Sequence, residues 1–175
     1  MSENVKNVTL KPIERFSNKH IRIYNESFPE EERRPLSTLH TGYGRLEILS
    51  IEKDGEIVGF LTWWNFGKFR YVEHFAIDSA KRGQGIGREV IRQFVMESPV
   101  PVVLEVELPG SSPQADRRIA FYKEAGFIAL NKYRYIQPSY SIGLPEVPMM
   151  LMMTSDHLSA DEVSSLLFRE VYGRS

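Results

Sequence analysis

The sequence of 175 residues contains no cysteine. Disulfides, a cysteine nucleophile and cysteine-ligated zinc are therefore excluded, and a reducing compartment such as the cytoplasm is the expected location. No apolar run approaches the length that spans a membrane, and the first residues lack the apolar stretch of a signal peptide. The formal net charge is only −1, so the composition predicts neither a nucleic-acid partner nor a membrane partner.

A single globular domain is the simplest interpretation of the remaining composition. Hydrophobic residues make up 42% and charged residues 26% of the chain, which is ordinary for a globular protein. The length suits one domain with a sizeable core better than two. We therefore expect one domain over residues 1–175. Ser159 and Glu162 form a capping-box pattern that predicts a C-terminal helix over 159–173.

Apolar periodicity and turn residues predict a mixed α/β fold. Helices are expected over 17–28, 36–41 and 116–125 and from 86 onward, and strands over 8–11, 46–51, 56–64, 71–77, 101–108, 127–136 and 147–153. Pro12 is expected to end the first strand, and Lys53-Asp54-Gly55 predicts a tight hairpin. The order strand, helix, strand from Tyr71 to Leu108 implies a right-handed crossover and a parallel strand pair.

A glycine-rich turn separates the strand at 71–77 from the helix that follows it. It contains three glycines between two arginines, in the order Arg82, Gly83, Gln84, Gly85, Ile86, Gly87 and Arg88. Backbone N–H groups at the start of a helix, beside positive side chains, form a site that binds phosphate. The dinucleotide pattern G-x-G-x-x-G fails because Arg88 stands where its third glycine belongs, and no Gly-Lys-Ser/Thr follows for a P-loop.

The pattern R-x-x-G-x-G, from Arg82 through Gly85 to Gly87, resembles the Q/R-x-x-G-x-G/A signature of the GNAT superfamily of acetyl-CoA-dependent N-acetyltransferases. The resemblance implies the GNAT fold, a mixed, mostly antiparallel twisted sheet flanked by helices. It also implies that acetyl-CoA is the cosubstrate and that this turn holds its pyrophosphate. In the family, backbone of the fourth strand contacts the cosubstrate and stabilises the oxyanion, which corresponds here to Phe75, Ala76 and Ile77.

A second stretch, Arg117–Phe127, is similar to the other GNAT signature, N-x-x-A-x-x-F-Y-x-x-x-G-F. It matches at Phe121, Tyr122, Gly126 and Phe127. The resemblance implies that Tyr122 contacts the cosubstrate and protonates the departing thiolate. The sequence departs from the pattern at Ala115, where the family often has Asn, and at Arg118, where it often has Ala; we expect Arg118 to contact a cosubstrate phosphate instead.

Acetyl transfer to an amine needs a group that accepts the amine proton. For an amine with a pKa of about 10.4, releasing that proton at pH 7 costs about 4.6 kcal/mol, so we expect a carboxylate, or a water chain that ends on one. Glu73 on the fourth strand is the first candidate, with a strand-edge ion pair as the alternative interpretation. Glu105 and Glu107 alternate onto one face of the next strand, and Glu107 is the second candidate. His74 is expected on the face opposite Glu73.

The function predicted from these patterns is direct acetyl transfer from acetyl-CoA to a primary amine of a small acceptor, without an acyl-enzyme because no cysteine exists to carry the acetyl group. The alternative is a non-catalytic acyl-CoA-binding module of the same fold. A third possibility is an interaction protein that forms a homodimer through an apolar stripe at Val163, Leu166, Leu167 and Val171. The acidic stretch 30–32 is either a solvated loop or the lip of an acceptor pocket. No metal site is expected, since the histidines show no ligand spacing.

Overall fold

The computed structural model describes residues 6–174. Its strands are β1 (Val8–Ile13), β2 (Leu46–Lys53), β3 (Glu56–Asn65), β4 (Arg70–Ile77), β5 (Val102–Glu107), β6 (Ile128–Ala129), β7 (Tyr135–Gln137) and β8 (Val147–Met153). Its helices are α1 (Asn18–Ser27), α2 (Ile86–Glu97), α3 (Pro113–Glu124) and α4 (Ala160–Leu166), and a π-helical segment, Leu167–Val171, continues α4. The sheet has the order β1-β2-β3-β4-β5-β8-β6, and β7 also pairs with β8. The chain therefore has the predicted α/β fold with a mixed, mostly antiparallel sheet.

The first four strands form an antiparallel meander. Asp54 and Gly55 join β2 to β3 with φ angles of 52° and 79°, the positive values that a two-residue hairpin turn requires. Pro12 lies inside β1 rather than after it, so the prediction that Pro12 ends the strand is wrong. A proline is tolerated there because β1 is the edge strand of the sheet.

The parallel pair predicted around α2 is present but short. β4 and β5 pair only from Arg70 and Val102 to Val72 and Leu104. Beyond that point the two strands diverge. Within residues 6–174, the stretch Glu73–Ile77 of β4 therefore pairs with β3 on one side and with no strand on the other. Backbone N–H and C=O groups along this free edge lack sheet partners and are available to a ligand.

Two apolar cores lie on the two faces of the sheet. One contains side chains of α1, α4 and the π-helical segment, and the other contains side chains of α2 and α3. Val163, Leu167 and Val171 are buried in the first core, and Leu166 packs against it. The predicted stripe is therefore covered by the chain itself, and the expectation that it forms a contact with another protein is wrong.

Two further element boundaries differ from the sequence prediction. The strand expected over 127–136 is divided into β6 and β7, because Leu130 and Tyr133 form a turn between them while both strands pair with β8. The helix expected over 36–41 is a single 3₁₀ turn at Leu36–Thr38. It stops there because His40 forms a β-bridge with Arg15, which keeps the following backbone extended. Within residues 6–174, no helix is both long and apolar enough to cross a membrane.

Candidate active site

A cleft of about 1140 Å³ opens where β4 and β5 diverge. Its walls come from the free edge of β4, the end of β5, the start of α2 and one side of α3. Most residues predicted for the site line this one cleft: Glu73, Phe75, Ala76, Ile77, Arg82, Gly83, Gly85, Ile86, Gly87, Arg88, Glu107, Arg118 and Tyr122. The remaining predicted residue, Gln84, is in the same turn but does not line the cleft.

The glycine-rich turn presents backbone N–H groups to one end of the cleft. Gly83 and Gly85 have φ angles of 78° and 80°, in the left-handed region that favours glycine. Gly85 is the N-cap of α2 and has no side chain to cap the helix, and the first intrahelical bond joins the Glu89 N–H to the Gly85 carbonyl. The three preceding N–H groups of the helix therefore lack intrahelical partners, which together with the helix dipole favours an anion.

Two arginines flank the turn in different ways. Arg82 folds back and donates from Nε to the Ile77 carbonyl at 3.1 Å, which fixes the turn to the end of β4. Arg88 is exposed and pairs with Glu124 at 2.9 Å. An exposed pair of this kind is weak, so Arg88 is readily available to an incoming phosphate.

Glu73 lies in a buried ion pair. Its Oε2 accepts from Arg34 Nε at 3.0 Å and from the Tyr140 hydroxyl at 2.7 Å, and its Oε1 accepts from Trp64 Nε1 at 2.9 Å. The side chain is wholly buried. Burial by itself raises the pKa of Glu73, but the charge of Arg34 and these hydrogen bonds hold it below its ordinary value. A carboxylate held ionised by three donors is a weak base, and the contacts correspond to the ion-pair interpretation of Glu73.

A β-bulge changes the direction of the side chain that follows. Thr62 pairs with His74 while Trp63 pairs with Val72, so Glu73 is the extra residue in β4. His74 consequently packs on the same side of the sheet as Glu73. The centre of its ring lies 6.1 Å from the ring centre of Tyr140, whose hydroxyl donates to Glu73. The prediction that His74 lies opposite Glu73 is therefore wrong, because a bulge interrupts strand alternation.

Glu105 is the carboxylate at the floor of the cleft. Its Oε1 accepts from the hydroxyls of Tyr71, at 2.5 Å, and Tyr172, at 2.7 Å. Its Oε2 is buried and has no partner within hydrogen-bond distance in residues 6–174. The Tyr135 hydroxyl, which is also buried without a partner, lies near enough to the carboxyl to influence its pKa. Burial raises the pKa of Glu105 to about 7, although the neighbouring tyrosine hydroxyls lower it in part. A carboxyl with this pKa and one unused oxygen can take up a proton at neutral pH.

Glu107, the second predicted base, lies further along β5 and pairs with Arg118 Nη1 at 3.0 Å. Arg118 is half-exposed in this pair, so the expectation that it contacts a cosubstrate phosphate stays a prediction. Glu32, in the acidic stretch, also lines the cleft. Partial burial and the charge of Glu107 raise the pKa of Glu32 above its ordinary value. The acidic stretch therefore borders the cleft and adds negative charge beside Glu107.

Tyr122 is half-buried on α3 and lines the cleft. Burial raises the pKa of Tyr122 to about 12. The phenol therefore stays protonated across the neutral range and can donate its proton or a hydrogen bond to a ligand in the cleft.

The local sequence does not indicate the residues that hold the two carboxylates. Arg34 lies in a loop, and Tyr172 and Gln137 lie near the C-terminal part of the chain. Gln137 Nε2 donates to the Tyr172 hydroxyl at 2.9 Å, and Tyr172 donates to Glu105. No local motif marks these residues, since their roles depend on contacts between distant parts of the sequence. Among residues 6–174, no three histidine, aspartate or glutamate side chains are grouped as metal ligands.

Comparison with known proteins gives one family and several structures of the same fold. A sequence profile of the acetyltransferase (GNAT) family matches residues 17–127. A protein from Bacteroides thetaiotaomicron described as a GNAT-family acetyltransferase is 34% identical, with a TM-score of 0.86 over 95% of this chain and 99% of that chain. A comparison with curated protein sequences gives no match.

Two more distant structures show likeness of fold alone. A GNAT family acetyltransferase from Elizabethkingia anophelis with acetyl-CoA bound is 13% identical, with a TM-score of 0.59 over 86% of this chain and 99% of that chain. The ribosomal-protein-S18-alanine N-acetyltransferase from Escherichia coli is 16% identical, with a TM-score of 0.54 over 87% of this chain and 99% of that chain.

Proposed function

Because this chain belongs to the GNAT acetyltransferase family, we propose that it transfers an acetyl group from acetyl-CoA directly to a primary amine of a small acceptor. The observation that carries the proposal is Glu105, a buried carboxyl with a pKa of about 7 and an unpartnered oxygen in the cleft between β4 and β5. Buried groups with such perturbed pKa values cluster at functional sites.

The cleft fits acetyl-CoA in two respects. The start of α2, with its left-handed glycines and unpartnered N–H groups, suits the pyrophosphate. The free edge of β4 at Phe75, Ala76 and Ile77 offers backbone groups to the extended arm of the cosubstrate. A structure from E. anophelis with acetyl-CoA bound shares this fold, which supports acetyl-CoA as the ligand here.

We assign the base to Glu105 rather than to Glu73 or Glu107. Glu73 has a lowered pKa and its oxygens accept from three donors, and Glu107 is paired with Arg118. Glu105 combines a near-neutral pKa with a free oxygen, which is the combination that general-base catalysis at neutral pH needs.

The reaction then divides among three groups. Glu105 takes a proton from the acceptor ammonium, and the free amine nitrogen forms a bond with the acetyl carbon. Backbone N–H groups of the β4 edge stabilise the oxygen that becomes negative. The carbon–sulfur bond breaks, Tyr122 supplies a proton to the thiolate, and the nitrogen gives its second proton to the Tyr122 phenolate, which leaves a neutral amide, free coenzyme A and a phenol. The chain has no cysteine to carry an acetyl group, so the transfer is direct.

Negative charge at the acceptor end of the cleft favours a cationic small amine. Glu32, Glu105 and Glu107 all line the cleft, and Arg118 pairs with only one of them. We also propose that residues 1–175 act as one domain in the cytoplasm, which the cysteine-free composition favours. A homodimer stays a prediction, and light scattering over a range of concentrations measures it.

The test is an incubation of the protein with acetyl-CoA and a panel of small primary amines, with thiol release and the mass of the acetylated amine as readouts. We expect both signals with at least one cationic amine. A protein that binds acetyl-CoA and acetylates no member of a broad panel, peptides included, would instead match the non-catalytic acyl-CoA-binding alternative.

A further inference from the structure

Three residues that line the cleft each have a buried side-chain polar atom without a hydrogen-bond partner within residues 6–174. These atoms are His74 Nδ1, Glu105 Oε2 and Gln137 Oε1. A buried polar atom without a partner costs free energy, so each one needs an explanation. An incoming ligand that donates hydrogen bonds to these atoms supplies such an explanation.

One ring nitrogen of His74 can act only as a hydrogen-bond acceptor. Its Nε2 lies 2.7 Å from the Glu32 carbonyl oxygen, which can only accept, so Nε2 carries the ring proton. Burial lowers the pKa of His74 below its ordinary value, and the ring is therefore neutral. It follows that Nδ1 has no proton and is a hydrogen-bond acceptor.

The orientation of Gln137 is fixed by Tyr172. The Tyr172 hydroxyl has one proton, which it donates to the Glu105 carboxylate at 2.7 Å. Towards Gln137 the same hydroxyl can therefore only accept, so the Gln137 amide must turn its NH₂ group to Tyr172, at 2.9 Å. The amide oxygen is thereby left free, and Gln137 is only 6% exposed. Gln137 and Glu105 are joined through one hydroxyl, so their free oxygens belong to one network.

We propose that Gln137 is a specificity-determining residue that, with Glu105 and His74, binds the N–H groups of a primary ammonium on the acceptor. A primary ammonium has three N–H donors and no acceptor, which matches three acceptor atoms on residues that line one cleft. The inference rests on the proposed function, since it concerns the acceptor half of the same site. Beyond the proposed function, we infer that the acceptor binds in its protonated ammonium form and that Gln137 favours primary amines over N-methylated amines.

The experiment measures the binding of small amines to the protein saturated with coenzyme A. The probes are n-butylammonium, its N-methyl derivative and 1-butanol, and ligand-observed NMR gives their dissociation constants. We expect the wild type to bind n-butylammonium about tenfold to a hundredfold more tightly than the other two, since a hydrogen bond between a charged and a buried group is involved. The variant Gln137→Met keeps an unbranched side chain of similar length but should lose most of this preference for the primary amine.

Two further variants make the result specific. Gln93→Leu is the matched control, because Gln93 lies on α2 outside the cleft and bonds Glu89; it should keep the wild-type preference. Tyr172→Phe removes the hydroxyl that orients the Gln137 amide and should also reduce the preference, which provides a second test if Gln137→Met does not fold.

The outcomes separate this inference from the proposed function. Failure of the wild type to bind coenzyme A contradicts the proposed function itself. A wild type that binds coenzyme A but binds no primary ammonium, or does not distinguish it from the N-methyl derivative, overturns the inference alone. An unchanged preference in folded Gln137→Met, or in Tyr172→Phe, overturns it as well.

Discussion

Replacement of Glu105 by Gln should abolish most of the acetyl transfer while leaving the binding of acetyl-CoA intact. The amide keeps the size of the side chain and an oxygen for the hydroxyls of Tyr71 and Tyr172. It cannot take up the acceptor proton. The variant therefore isolates proton transfer from the shape of the cleft.

The size of the effect follows from the proton that must leave the acceptor. At pH 7 an amine with a pKa of about 10.4 is almost wholly protonated, and releasing the proton costs about 4.6 kcal/mol. A positioned base typically contributes a factor of about 10² to 10⁴ in rate. We therefore expect Glu105→Gln to lower kcat/KM for the amine by about that factor.

The assay is thiol release from acetyl-CoA across a range of pH. In the wild type kcat/KM should rise with pH through about 7, where Glu105 loses its proton, and this limb should be absent from Glu105→Gln. Glu47→Gln is the matched control, since Glu47 lies on β2 outside the cleft. Glu73→Gln and Glu107→Gln test the two rival carboxylates.

A small effect refutes the assignment. If Glu105→Gln retains activity within about threefold of the wild type, far less than a general base supplies, Glu105 is not the base. If Glu107→Gln loses most of the activity while Glu105→Gln keeps it, the general base is Glu107. Loss of acetyl-CoA binding in Glu105→Gln contradicts the claim that the amide preserves the cleft.

Three further predictions concern the cleft and the buried carboxylates beside it. Arg34→Met should lower the free energy of unfolding in urea by about 3–5 kcal/mol because it leaves Glu73 buried and without its cation. Arg169→Met, which removes only an exposed pair with Glu170, should have a much smaller effect, and equal effects would contradict this. Tyr122→Phe should lower kcat roughly a hundredfold with unchanged acetyl-CoA affinity, and a normal kcat removes Tyr122 as the proton donor. Because burial raises the pKa of Glu105 from 4.5 to about 7, its protonated form stabilises the folded chain below about pH 4.5 and this contribution is lost as pH rises through 7. Between about pH 4.5 and pH 7, the free energy of unfolding in urea should therefore fall by about 3 kcal/mol more in the wild type than in Glu105→Gln. If the two proteins show the same dependence on pH, the raised pKa of Glu105 is contradicted.

Local sequence was sufficient for the elements whose determinants lie within a few residues. Asp54-Gly55 supplies the positive φ angles of the hairpin, and Gly83 and Gly85 supply those of the turn before α2. The bulge at Glu73 has no comparable signal in the sequence. Strand alternation can be read from the residues, but it does not show where one extra residue interrupts the pairing. The direction of His74 was therefore predicted wrongly.

The site was predictable to the level of the strand but not of the residue. Alternation along β5 correctly placed Glu105 and Glu107 on one face of the strand, and the structure shows that both line the cleft. What distinguishes them is their partners, Tyr172 for Glu105 and Arg118 for Glu107. Tyr172 is 67 residues away from Glu105 in sequence, and nothing in the pattern around it indicates that contact. The burial that sets the pKa of Glu105 is likewise a property of the folded chain.

The central claim is that the cleft between β4 and β5 binds acetyl-CoA with its phosphates at the start of α2. Calorimetric titration with acetyl-CoA tests it most directly, on the wild type, on Gly85→Glu and on Gly67→Glu. Both glycines have positive φ angles, of 80° and 77°, so the two substitutions introduce the same charge and comparable strain, but Gly67 does not line the cleft. We predict tight binding by the wild type and by Gly67→Glu, and none by Gly85→Glu. Absence of binding by the wild type at millimolar acetyl-CoA, or normal binding by Gly85→Glu, would contradict the account.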